Sequence, residues 1–274
     1  MAISEKIELL GKGLYGNIPD ILTLTGIPTA TELDYVGGED FDKTMLDVIF
    51  PKAIEEDINF YDLLEIDYYW ICRCLRILNY GPYITVNAIF CGDCGKVTYG
   101  EYSVDVRTVN VKALPEGFVN DIVVSKDEFL DFNKDVHLKL PTVADKINRE
   151  KDKAFLDSKG NRNTELARIC YSVKSIGNDD RLSPIDIRFK ITNSGEFSAA
   201  DYRILSGKSH ELADFGLRSG GTCGCPKCHG DNASFLVMVD DRFFRPTLGD
   251  LRNWKRDRSA GKMEDLLGNT TNNV

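Results

Sequence analysis

Two Cys-x-x-Cys pairs, Cys91/Cys94 and Cys225/Cys228, set about 130 residues apart, constrain this chain more than any other feature of its sequence. With two residues between them, the thiolates of a tight turn converge on one tetrahedral ion, and two such turns complete a four-sulfur shell. Gly92 and Gly95 frame the first turn and Pro226 lies inside the second. Glycine lets the backbone fold back toward the sulfurs, and proline fixes φ in the turn. A structural Zn2+ held by Cys91, Cys94, Cys225 and Cys228 is the expectation. The spacer is far longer than that of a compact zinc ribbon, so the intervening chain is expected to loop out as a helical insert over about 141–218.

The competing chemistry for such a pair is thiol-disulfide exchange, which uses a helix N-terminus to favour the thiolate. Here β-patterned sequence follows both motifs, KVTYGEYSV after Cys94 and GDNASFLVMV after Cys228. Cys223 and His229 flank the second pair and offer further donors, but the two pairs already close a shell. Cys223 stands as a spare or swapped ligand, and His229 is expected to face solvent or bond locally. Cys72 and Cys74 fall in one helical pattern about 200° apart around its axis, which forbids a shared chelate and makes them small core residues, as is Cys170 by its position.

Eight cysteines without a secretory leader argue against a disulfide framework and for a chain that stays in the cell that makes it. The 274 residues, 42% hydrophobic and 28% charged, suit a soluble globular protein, with no run long enough to span a membrane. The net charge of −9 opposes a main role in coating nucleic acid. One stretch departs from that balance. Between residues 241 and 262, Arg242, Arg245, Arg252, Lys255, Arg256, Arg258 and Lys262 face only Asp241, Asp250 and Asp257. A solvated face, docking onto an acidic partner, and a nucleic-acid contact from a zinc ribbon are the alternatives.

The pattern of elements reads as an α+β fold: helices mixed with antiparallel strands around a split, zinc-ribbon-like site. Residues 1–40, rich in Gly, Pro and Thr, read as an extended arm, 41–246 as the core, and 247–274 as a basic tail with a short helix near LGDLRNWKRD. FDKTMLDVIFPKAI is helical up to Pro51, and DLLEIDYYWICRCLRILNYG is a long helix, capped from Asn59 or Asp62 and ended by Gly81 and Pro82. YITVNAIF and KVTYGEYSVDV alternate as strands on either side of CGDCG. Short strands follow at 121–124 and 136–140. Thr142 and Thr164 start helices, the second read through to Asn178. PIDIRFKIT reads as a strand or the start of a turn, and SAADYRILSGKSHELADFG as a Ser-capped helix with an interruption at Gly207. His137 and His210 have no triad partners in their surroundings. No phosphate loop, nucleophile elbow or HExxH motif is present, so no enzyme is expected.

The order of a DLL-x2-D helix ending in LRILNYG, a strand, CGDCG, an alternating strand, a helical insert, SAADYRILS, CGCPKC, a strand and FFRP resembles the baseplate hub proteins of contractile-tailed bacteriophages, the family of the T-even gene-26 product. The likeness runs from about Asp57 to Pro246. It is carried by Asp62, Leu63, Leu64, Leu75, Arg76, Tyr80, Gly81 and the four cysteines, while the CGC form of the second knuckle departs from the family pattern. It implies a structural component or assembly factor of a tail baseplate, found in the virion, that binds other tail and baseplate proteins in a multi-subunit assembly.

Overall fold

The computed structural model describes residues 4–27 and 40–259. In chain order the strands are β1 Ser4–Glu8, β2 Ile21–Thr25, β3 Tyr83–Cys91, β4 Lys96–Asp105, β5 Val109–Lys112, β6 Ile122–Val124, β7 Val136–Leu138, β8 Val173–Ile176, β9 Gly216–Cys223 and β10 Ala233–Leu236. The helices are α1, a continuous run of Phe41–Thr44, a wide π-turn Met45–Ile49 and Phe50–Ala53, then α2 Glu65–Tyr80, α3 Val143–Lys151, α4 Thr164–Ser172, α5 Pro184–Thr192, α6 Ala199–Ala213 and α7 Leu248–Ser259. Helices and antiparallel strands are thus mixed, as the sequence pattern predicts. The chain divides into two compact units: residues 1–58, 66–113 and 216–274, and residues 59–65 with 114–215.

The first unit is built on α2. This helix is buried nearly all round, from Ile66 to Leu78, because apolar residues occupy every face. Its polar side chains therefore need partners inside the protein. The guanidinium of Arg73 donates to the carbonyls of Val106 and Arg107 at 3.2 and 3.4 Å and lies over the Trp70 ring. Arg76, fully buried, donates to Phe243 O at 2.7 Å, Gly81 O at 2.6 Å and Tyr83 O at 2.5 Å. Gly81 ends the helix at φ +77°, where a Cβ would sit 2.4 Å from the Trp254 ring.

The expected extended arm is, over its described part, a β1–β2 hairpin with Ser4 opposite Thr25 and Glu8 opposite Ile21. Ile7, Leu9, Leu22 and Leu24 are buried, so these residues belong to the core. Asp67 of α2 anchors the connection by accepting from Leu10 N at 2.5 Å, Gly11 N at 3.1 Å and the Tyr15 hydroxyl at 2.5 Å. Residues 28–39, also assigned to the arm, lie outside the described residues. Pro51 does not stop α1 as expected. The preceding turn, closed by Phe50 N–H on Met45 O, is one residue wider than an α-turn and makes room for the proline ring.

A five-stranded antiparallel sheet completes this unit in the order β4-β3-β10-β9-β5. β3 and β4 flank the first cysteine pair and β9 and β10 the second. The ladder between β3 and β10 is short, Ala233 opposite Cys91 and Ser234 opposite Phe90.

The second unit contains a β6-β7-β8 sheet and helices α3 to α6. It spans 114–215, wider than the expected insert of about 141–218, and is not purely helical. PIDIRFKIT is helix α5, not a strand: Ser183 and Asp186 form a capping box and Pro184 sits at the first position. Those start signals outweigh the alternation, and Ile187 and Ile191, four apart, are the buried pair. Conversely, the helix read from Thr164 to Asn178 ends at Ser172. Val173–Ile176 pairs instead with β7, Ile176 opposite Val136. Thr142 caps α3 as expected, and Ser198 caps α6, which runs through Gly207 without a break.

Candidate metal centre

Each cysteine pair occupies a turn between neighbouring strands. At the first, β3 ends on Cys91, Gly95 N donates to Cys91 O at 2.9 Å, and Gly95 takes φ +65° before β4 begins. At the second, His229 N donates to Cys225 O at 3.0 Å and Cys225 N to Gly230 O at 2.8 Å. Here the left-handed residue is His229, at φ 58°, an uncommon conformation outside glycine. The second turn thus repeats the first with a histidine in the glycine position.

The turns are tied to each other as well as to their strands. Gly92 N donates to Asn232 O at 2.7 Å, and Asn232 N donates to the Asp93 carboxylate at 3.3 Å. A Cβ on Gly92 would lie 2.7 Å from the Asn232 side chain, and one on Gly230 2.1 Å from Asp93 Oδ2. At both glycines the turns approach so closely that an added side chain would displace the end of Asn232 or Asp93. Asp93, Gly230 and Asn232 escape a reading based on ligand spacing alone; the glycine after Cys91 and the one following His229 are the only local signals.

As a result the four Sγ atoms of Cys91, Cys94, Cys225 and Cys228 lie within 4.8 Å of one another, and Cys91 Sγ is 3.6 Å from Cys228 Sγ. Zn–S bonds of about 2.3 Å in a tetrahedron place sulfurs about 3.8 Å apart, so the spacing suits a metal–tetrathiolate. Cys91 and Cys225 are buried, Cys94 is half-buried and Cys228 is exposed. Amides aim at the sulfurs: Lys227 N lies 3.4 Å from Cys225 Sγ. The amides of Cys228 and Lys227 pull the Cys225 thiol down to about 6. At Cys228 the largest influence, the Gly230 amide, also favours the thiolate. It is outweighed by the sulfurs of Cys225 and Cys91, and the thiol is pushed up to about 12. Crowded sulfurs with one proton readily lost and another held suit a site in which a cation takes the place of protons.

The donors fit a metal ion. Neither pair opens a helix: Cys94 leads into β4 and Cys228 into β10, so the helix N-terminus that activates a redox thiol is missing at both. Cys223 is half-buried on β9 opposite Ala233, outside the four-sulfur group, and His229 is exposed. Cys72, Cys74 and Cys170 are buried core thiols, and burial pushes Cys74 and Cys170 up to about 12. In the second unit, His137 pairs with Asp121 at 2.8 Å, and His210 lies beside Arg168 at 2.7 Å.

In comparisons with protein-family models, with curated proteins and with solved structures, nothing matches this chain. Among the described residues, no helix is long and apolar enough to cross a membrane.

Proposed function

We propose that this chain is a non-enzymatic structural protein, clasped by zinc and working through protein–protein contacts, as a component or assembly factor of a bacteriophage tail baseplate. The observation that carries the structural part is the convergence of four sulfurs within 4.8 Å from turns about 130 residues apart in sequence. A closed thiolate shell suits zinc and leaves no open position for catalysis. The amide and carboxylate links between the turns hold the sulfurs as a rigid unit. Placement in a baseplate rests on the resemblance of the LRILNYG helix, the paired knuckles and FFRP to the hub family, and the virion is then its location.

The test has two arms. Elemental analysis of the purified chain is expected to give about one zinc per molecule, and Cys91→Ser or Cys228→Ser is expected to lose the metal and lower the unfolding temperature. A metal-free wild-type chain of unchanged stability defeats the clasp. Mass spectrometry of purified virions is expected to find the chain, and its absence from both particles and tail subassemblies defeats the baseplate reading.

A further inference from the structure

One face of the five-stranded sheet is apolar where it is open to water. Val97 on β4 lies opposite Phe90 on β3, Phe90 opposite Ser234 on β10, and Ser234 opposite Thr222 on β9. Residues directly opposite in a ladder share a face, so these four form one row across the sheet. Two residues further along the strands, Tyr99 opposite Ala88 and Leu236 opposite Gly220 make a second row on the same face. The alternate positions Ile89, Thr98, Ala233 and Phe235 are buried and mark the other face as the one turned to the core. On the open face Phe90 is 51%, Val97 45%, Tyr99 81% and Leu236 75% exposed.

An antiparallel sheet with one side in water alternates apolar inward with polar outward. Here neither row holds a charged residue, on a chain that is 28% charged. SFLVMV, which contains β10, is the near-continuous apolar run of a strand covered on both sides. The four large side chains expose roughly 450 Å2, about half of the ~800 Å2 that each partner of a standard interface buries, and a polar rim supplies the remainder. A stacking platform for single-stranded nucleic acid sets its aromatics among cations, and these rows have none.

The face also fits itself. Turning a copy by 180° about an axis that runs along the strands, between β3 and β10, lays β3 over β10 and β4 over β9. Val97 then falls on Thr222 of the other copy and Phe90 on Ser234 of the other copy. In the second row Tyr99 falls on the other copy's Gly220, and Leu236 on its Ala88. Every large side chain thus meets a small residue, and the two-fold axis makes each contact twice.

We propose that a second copy of this chain packs on this face, sheet on sheet, as a two-fold dimer. The inference rests on the reading of this chain as one that works through protein contacts, and it names one such contact.

The test measures the mass of the full chain, purified with zinc in the buffer, by sedimentation equilibrium between about 1 and 100 μM. The wild type is expected to pass from 30.7 kDa to twice that mass, with a midpoint that does not weaken as salt rises, because the buried rows carry no charge. Phe90→Ser/Leu236→Ser is expected to weaken the dimer at least tenfold, and so is Tyr99→Ser, at the most exposed of the four positions. Ile185→Ser/Phe189→Ser, which removes exposed apolar residues of the second unit, leaves it unchanged. Ser234→Trp separates this packing from general stickiness: it adds apolar surface but fills the place of Phe90, and is expected to weaken the dimer by a similar factor. A wild type that stays monomeric, a dimer that salt dissolves, a dimer strengthened by Ser234→Trp, or one that survives Phe90→Ser/Leu236→Ser and Tyr99→Ser overturns the proposal. So does a monomer that binds a single-stranded oligonucleotide on this face. The baseplate reading is tested apart from it: a monomer found in virions defeats this inference alone, and a dimer absent from virions and tail subassemblies defeats the baseplate reading alone.

Discussion

Replacing Arg76 with methionine tests whether the buried guanidinium holds the first unit together. Arg76 has no exposed surface and spends three N–H groups on the carbonyls of Phe243, Gly81 and Tyr83, residues that enter β3 or lie ahead of α7. Methionine fills similar volume without a donor, so three carbonyls lose a charged partner. At about 1 kcal/mol for each acceptor left short, the low end of the usual range, Arg76→Met is expected to cost about 3 kcal/mol. Arg76→Lys keeps the charge but not the planar fork, and one ammonium cannot reach three diverging carbonyls, so it is expected to recover less than half of the loss. Urea unfolding followed by the fluorescence of Trp70 and Trp254 measures both, since both tryptophans lie in this unit. With a slope of about 3 kcal/mol per molar, the midpoint of Arg76→Met should fall by about 1 M. A midpoint within about 0.2 M of wild type, or full rescue by lysine, refutes the argument.

Two further outcomes follow from α2 and its end. Burial, opposed by the Tyr15 hydroxyl and the amides of Leu10 and Gly11, raises the Asp67 carboxyl from 3.8 to about 6. The folded state then holds this proton more tightly than the unfolded state, so the stabilisation is full below about pH 4 and is lost as pH rises through about 6, a difference of about 3 kcal/mol. Comparing wild type with Asp67→Asn between pH 4 and 7.5 subtracts the pH dependence of the cysteine cluster, and parallel curves contradict the assignment. Gly81→Ala places a Cβ 2.4 Å from the Trp254 ring at φ +77°, and is expected to cost about 2–3 kcal/mol and shift Trp254 emission. Unchanged stability and emission contradict it.

The clustering of the four cysteines was legible in the sequence because its chemistry is local: two residues between thiols and strand patterns on both sides suffice. The bulk of α2 was legible from its apolar stripe and from Gly81 and Pro82 at its end. The hairpin of residues 4–25 was not. Its buried positions, Ile7, Leu9, Leu22 and Leu24, are spread through Gly- and Thr-rich sequence, and its anchor, Asp67, lies more than forty residues from Leu22. α5 was misread for a different reason, since alternation in PIDIRFKIT suggests a strand while Ser183, Pro184 and Asp186 supply helix-start chemistry. The strand Val173–Ile176 was hidden because its apolar ends continue the helical spacing of Ile169.

The sheet that carries the four cysteines is interrupted in sequence by residues 114–215 of the second unit, and this sets an order of events during synthesis. Cys91 and Cys94 leave the ribosome as a half-site, and Cys225 follows 134 residues later, counting from Cys91. At about 5–20 residues per second, the two thiols wait roughly 7–27 s for their partners. During that interval residues 114–215 can fold, whereas β3 has neither β10 beside it nor a completed shell at its end. A metal ion held by all four cysteines would therefore be completed only in a chain made through its second knuckle.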